Sequence, residues 1–222
     1  MNSLYLLIIE LIICIISIII FYKNYKLVCL YAYTIASIIL SCMMSFKMIT
    51  VYNYDMNLGI IPLVTTFIVA NIIIQKIGPE ETKKHLLLTV IVLTVSYIIL
   101  LLIKMMSASK IGLFTSASYN NIFDNSLRII FANIVTILYS LILNNKLYYY
   151  LKRMKNNIII SNIFSTIIIQ FISSILFGII AYTFIKEPID IIKIIMIRYL
   201  MSLVVGLAGT VAIITTKYIK EQ

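Results

Sequence analysis

The chain has 222 residues, 62% of them hydrophobic, with a mean hydropathy of +1.08 and a formal net charge of +10. No soluble domain hides that much apolar surface, so the composition excludes a soluble enzyme and points to one integral membrane domain over 1–222. The positive balance is that of Lys- and Arg-rich cytoplasmic loops in a membrane protein, not of a nucleic-acid binder.

Seven apolar segments reach the length of about 20 residues that a bilayer crossing requires. They run over 3–22, 27–46, 58–77, 86–106, 127–145, 158–185 and 190–216. The expected fold is therefore all-α, a polytopic membrane bundle of about seven helices. The first segment follows a stretch without Lys or Arg and precedes no small-residue cleavage site, so it reads as a retained helix rather than a signal. It carries one acid, Glu10, an intramembrane ionisable group and so a candidate for function; nearer the interface it simply hydrates.

The loops after the first, third and fifth segments, with the C-terminus, hold eleven Lys and Arg; the other side holds Lys47, Lys104, Lys110 and Lys186. That asymmetry puts the C-terminus in the cytoplasm and the N-terminus outside. There is no Trp, so Tyr22, Tyr25, Tyr52, Tyr54, Tyr148, Tyr149, Tyr150 and Tyr218 are expected to form the interfacial belt.

The third segment, IIPLVTTFIVANIIIQKIGPEETKK, places Asn71 and Gln75 one turn apart on one face, and Gly78-Pro79 ends it. His85 follows and reads as a solvated cap. The long connection 105–126 is expected outside; its TSASYNNIF stretch suits a short interfacial or re-entrant helix as well as a plain loop. The fifth segment and its flanks, RIIFANIVTILYSLILNNKLYYYLK, open on Arg128 and line up Asn133, Thr136, Ser140 and Asn144 on one helical face. The sixth repeats such a seam with Asn162, Thr166, Gln170 and Ser173. The seventh holds Lys193 and Arg198, then Ser202, Gly206, Gly209 and Thr210. Lys193 is placed to snorkel. Arg198 is deeper, and a structural reading pairs it with Asp190 or Glu10. The glycines suit close helix approach.

Lipid offers these seams no hydrogen-bond partner, so they face protein or a water-filled cavity. Two readings stand: structural glue between helices, or a site for a flat, neutral or weakly basic ligand with many hydrogen-bonding edges. No P-loop, HExxH, GxSxG or paired-carboxylate arrangement is present, and a single His leaves few metal sites. Cys14, Cys29 and Cys42 show no CxxC spacing. Neither enzyme chemistry nor a cofactor is expected.

From the second segment to the seventh the chain resembles the queuosine-precursor transporter family, also called the vitamin uptake transporter family. Lys47 falls on a family lysine, with Cys42 in place of the asparagine before it. Thr65-Thr66-Phe67-Ile68-Val69-Ala70-Asn71, then Gln75 and Gly78, keep the register of its S-S-F-L-V-T-D-I-x-x-E-x-Y-G-K-K pattern. Arg128 sits on the arginine of R-I-A-x-x-S, with Asn133 in the serine position. Asn144 takes the aspartate of S-Q-x-x-D, and Tyr148 the aromatic after it. Ser165-Thr166, Gln170 and Ser173-Ser174 match S-T, the glutamine and D-[ST], and Tyr199 a tyrosine in the last helix. Four family acids are here Asn71, Gln75, Asn144 and Ser173; the lysine of the last helix is Ser202, with Arg198 one turn earlier, and its proline is Val211.

The resemblance implies a bundle similar to the substrate-binding subunits of energy-coupling-factor importers. It implies uptake of a 7-deazaguanine base or queuine across the bacterial cytoplasmic membrane. Asn71, Gln75, Asn133, Asn144, Gln170 and Ser173 would line the cavity, with Arg128 and Arg198 guarding or shaping it. With the acids replaced by amides, the site can bind a neutral base but cannot balance an ammonium. Another nucleobase-like or vitamin-like solute, and a non-transporting scaffold subunit, are the alternatives. An external energising module and a second copy of the chain both stay open as partners, besides the solute and the bilayer.

Overall fold

The computed structural model of the chain describes residues 3–45, 47–51, 54–106, 113–155 and 157–219; the side chains of 3, 51, 54, 104 and 113–127 are outside what it describes. Among these residues the order is α1 (Ser3–Met44), β1 (Met48–Val51), β2 (Tyr54–Asn57), α2 (Ile60–Ile77), α3 (Pro79–Met105), α4 (Leu113–Lys155), α5 (Ile158–Tyr182), α6 (Pro188–Ala208) and α7 (Thr210–Tyr218). Six helical stretches are long and apolar enough to cross a membrane. The expected seven become six because the first two apolar segments run into one helix through a non-helical residue, Lys26, with φ 56°.

That residue turns the chain back on itself. Leu7 packs with Ile60 and Ile61 at the start of α2, and Ser41 Oγ donates to the carbonyl of Gly59 at the same end (2.6 Å). Ile18 and Tyr22 before the turn, and Leu30 and Tyr33 after it, all join Ile68, Val69, Ile72 and Ile73 further along α2. The two arms of α1 are thus antiparallel, both against α2.

α2 is the central post. Every residue from Ile60 to Ile74 is buried, and the helix touches α1, α3, α4, α6 and α7. It has no polar face because it has no solvent or lipid face; its polar groups meet other helices instead. Gly78, at φ 88°, turns the chain directly into α3, with Pro79 in the first turn where its missing N–H costs nothing. α3 therefore starts at Pro79 rather than at the expected 86. α4 is one long helix, so the TSASYNNIF stretch belongs to its N-terminal part and not to a separate loop; residues 107–112 lie outside the described ones.

The loop expected around Lys47 is an antiparallel hairpin, β1 on β2, in the register Met48↔Asn57 to Val51↔Tyr54. It buries Met56 and Asn57 over the end of the bundle, with β2 against α6. Small residues set the closest crossings. A side chain at Gly206 would meet Thr166 Cγ2 of α5, and one at Gly209 would meet Ile68 of α2, the close approach that small residues permit between membrane helices. Of the expected tyrosine belt, Tyr25, Tyr149, Tyr150 and Tyr218 are exposed. Tyr22 and Tyr148 are buried, because each lies on the inward face of its helix; Tyr52 and the Tyr54 side chain are outside the described residues.

Candidate functional site

The two polar seams turn inward. Asn133, Thr136 and Ser140 are 0% exposed and Asn144 is 1% exposed; Asn162, Thr166, Gln170 and Ser173 on α5 are buried as well. Where the seams meet α2, three amides form a relay. Asn144 Nδ2 donates to Asn71 Oδ1 at 2.7 Å. Asn71 Nδ2 donates to Asn162 Oδ1 at 2.9 Å. Asn162 Nδ2 in turn donates to Thr210 Oγ1 at 2.8 Å and to the carbonyl of Gly206 at 3.4 Å. One layer thus ties α4, α2, α5, α6 and α7 together. Gly206 contributes a carbonyl that a bulkier residue would hold further off.

The eight residues expected to share one cavity are split by depth. Asn71 and Asn144 are in the relay. Gln75 is one turn along α2, half-buried, with Oε1 unpartnered among the described residues and its backbone carbonyl accepting from Lys152 Nζ at 3.4 Å. Asn133 stands eleven residues before Asn144, roughly 16 Å along α4, and donates from Nδ2 to Ser45 Oγ at 3.0 Å. Arg128 is half-buried and donates from Nε to the carbonyl of Ile180 at 2.7 Å, at the far end of α5. Gln170 and Ser173 are buried between these levels.

Between the relay and the far end, polar atoms stay unsatisfied. Thr136 Oγ1, Ser140 Oγ, Asn133 Oδ1 and Ser174 Oγ are buried and have no partner among the described residues. Buried hydroxyls and amides are normally paired, and leaving one unmade costs about 1–3 kcal/mol. A column of such atoms along α4 is what a polar ligand or bound water would complete.

At the far end lies Arg198, 2% exposed. Its Nη1 reaches Asn57 Oδ1 at 3.5 Å, its guanidinium lies 3.7 Å from the centroid of the Phe177 ring, and Nη2 has no partner among the described residues. Neither expected carboxylate pairs with it: Asp190 takes Lys193 instead (3.2 Å), one turn away on the same helix. Glu10 is half-buried on the first arm of α1 with Oε1 unpartnered among the described residues. His85 is no solvated cap. It is buried and stacked on Tyr31, ring centroids 4.3 Å apart, with both ring nitrogens unpartnered among the described residues.

Sequence reasoning saw Asn162 in its seam but did not single it out, and it missed Asn57, Phe177 and Tyr182. The spacing of Asn162 to Gln170 was the available signal for the first. Asn57 carried none, because its burial depends on the hairpin.

The family described as "Putative vitamin uptake transporter" matches residues 57–216, which include α2 to α6 and all the relay residues. The chain belongs to that family. No curated relative and no solved structure matches it. Membership in the vitamin uptake transporter family makes this a transport protein of the membrane rather than an enzyme, and a small molecule in a bilayer its setting. The match begins at Asn57, so the α1 hairpin and Glu10 lie before it.

Proposed function

We propose that the chain imports a queuosine precursor, a 7-deazaguanine base or queuine, across the cytoplasmic membrane, and that the amide relay is where the heterocycle is held. The observation that carries this reading is the buried Asn144–Asn71–Asn162–Thr210 relay, where amides from three helices meet. An amide presents both an acceptor oxygen and two donor hydrogens. Three of them together match the alternating donors and acceptors of a guanine-like edge. In the closed arrangement the amides satisfy one another. A base that enters exchanges those bonds for its own, so no buried amide is left unsatisfied.

The path to the relay runs along α4, where Ser140, Thr136 and Asn133 supply the unsatisfied atoms. Counting the two arms of α1 separately gives seven passes, with the N-terminus outside and the C-terminus inside by the charge asymmetry. Transport then exposes the relay alternately to the two sides by repacking α4 and α5 against α2. The relay carries no formal charge. That favours an uncharged ring edge at the relay itself and keeps other nucleobase-like or vitamin-like solutes as the second reading.

The test is uptake. A bacterial strain that neither makes nor imports queuosine precursors, expressing this protein, is fed a 7-deazaguanine precursor or queuine, and queuosine in its tRNA is measured. The reading expects queuosine to appear. Its absence, with the protein shown to be folded and inserted, overturns the 7-deazaguanine assignment and moves the choice to another solute.

A further inference from the structure

Arg198 is a buried cation with no carboxylate paired to it among the described residues. No Asp or Glu is among the buried residues described, Asp190 is engaged with Lys193, and Asp55 on the hairpin is exposed. A guanidinium in a dry interior is costly unless it is paired and hydrogen-bonded. Here one nitrogen has a marginal amide contact at 3.5 Å and the other has none among the described residues. The Phe177 ring supplies a face for the cation at 3.7 Å, but no counter-charge.

A second polar group stands beside the same ring. Tyr182 is buried, its ring centroid is 5.9 Å from that of Phe177, and its hydroxyl has no partner among the described residues. A phenol donor and a guanidinium fork, both unsatisfied and both against Phe177, form a recognition set for a planar oxyanion.

We propose that Arg198 and Tyr182, with Asn57 and Phe177 holding the guanidinium in place, form a subsite for a carboxylate carried by the transported solute. This rests on the importer reading and adds the charge of the substrate to it. One nitrogen of the guanidinium and the Tyr182 hydroxyl donate to the two carboxylate oxygens; Nη1 stays on Asn57. Ser202, one turn further along α6, and Ser173, one turn before Phe177 on α5, are both buried and lead from this subsite toward the relay. Arg198 and Gly206 are eight residues apart, roughly 12 Å along α6. Once the reach of the side chains is subtracted, that span suits a bicyclic ring bearing a carboxylate. A solute that brings its own negative charge is repelled by acids and attracted by an unpaired arginine.

The experiment compares matched pairs on the purified protein in lipid nanodiscs: 7-carboxy-7-deazaguanine against its 7-carboxamide, and nicotinate against nicotinamide. The carboxylate member is expected to bind about tenfold or more tighter in at least one pair. Arg198→Gln should bring that ratio close to one, Arg198→Lys should keep part of it, and Tyr182→Phe should reduce it several-fold. Arg198→Met should keep or raise the melting temperature, since an apolar side chain replaces an uncompensated charge. Equal binding of both members of each pair, no binding of any, or a preference that survives Arg198→Gln overturns the subsite. If Arg198→Gln fails to fold, an unchanged ratio in Tyr182→Phe overturns it equally. Equal binding in both pairs, with the deazaguanines bound, leaves the importer reading standing without the subsite. Preference for nicotinate without deazaguanine binding does the reverse, upholding the subsite and overturning the deazaguanine assignment.

Discussion

Asn71 makes two of the three amide–amide and amide–hydroxyl bonds that cross the relay, so its removal has a calculable pattern. Asn71→Ala deletes the bonds to Asn144 and Asn162 and leaves a donor and an acceptor buried without partners. Hydrogen bonds between membrane helices average about 0.6 and reach about 1.7 kcal/mol, so the two together are worth about 1–3 kcal/mol. Asn144→Ala deletes one of the same bonds, worth about 0.6–1.7 kcal/mol. The double variant loses the shared bond only once. Its destabilisation should therefore fall short of the sum of the singles by about 0.6–1.7 kcal/mol. Asn133→Ala is the control: its partner is Ser45, it lies three turns away, and it should add to Asn71→Ala within about 0.5 kcal/mol. The assay is reversible unfolding in mixed micelles by denaturing detergent. Additivity of Asn71→Ala and Asn144→Ala within about 0.3 kcal/mol would refute the relay.

Further predictions test the packing and the orientation. Gly206→Ala drives a methyl into Thr166 Cγ2 and should cost about 1–3 kcal/mol; Thr166→Ser removes that atom and should restore most of the loss in the double variant, read by the same unfolding assay. His85→Phe keeps the stack on Tyr31 and removes two unsatisfied nitrogens, so the melting temperature should stay level or rise; a fall of several degrees would mean that the imidazole is bonded after all. Gly78→Ala forces a side chain into φ 88°, ψ 175°, a region essentially confined to glycine, and should destabilise by about 1–3 kcal/mol in the same assay. A single cysteine at Lys155, in a variant without Cys14, Cys29 and Cys42, should resist a membrane-impermeant thiol reagent in intact cells and react after lysis; labelling of intact cells would reverse the orientation.

The sequence carried the helices and their inward faces well, because hydrophobic length and three-four spacing are local properties. Asn133 to Asn144 and Asn162 to Ser173 fell on buried faces for that reason. Depth was not legible. The same spacing that aligned Asn133 with Asn144 hid the three turns between them, and only the crossing of α2 shows which amide meets which. Arg198 misled differently. A carboxylate two turns away suggested a pair, but Asp190 is one turn from Lys193 and takes that shorter route. Asn57 and the hairpin left no trace in the sequence, since four-residue strands are too short for a period to register. The fold-back at Lys26 falls between the two apolar segments expected at 3–22 and 27–46, although the helix runs up to it on both sides.

The account's central claim is that the amide relay is a transport site and not only a fastening between helices. Uptake and stability measured side by side in Asn144→Leu test it most directly. The claim predicts that solute uptake is abolished while the variant remains folded and inserted and loses only about 0.6–1.7 kcal/mol of stability, the range for one interhelical bond. Uptake that falls only in step with the folded fraction would contradict it and leave the relay as a fastening.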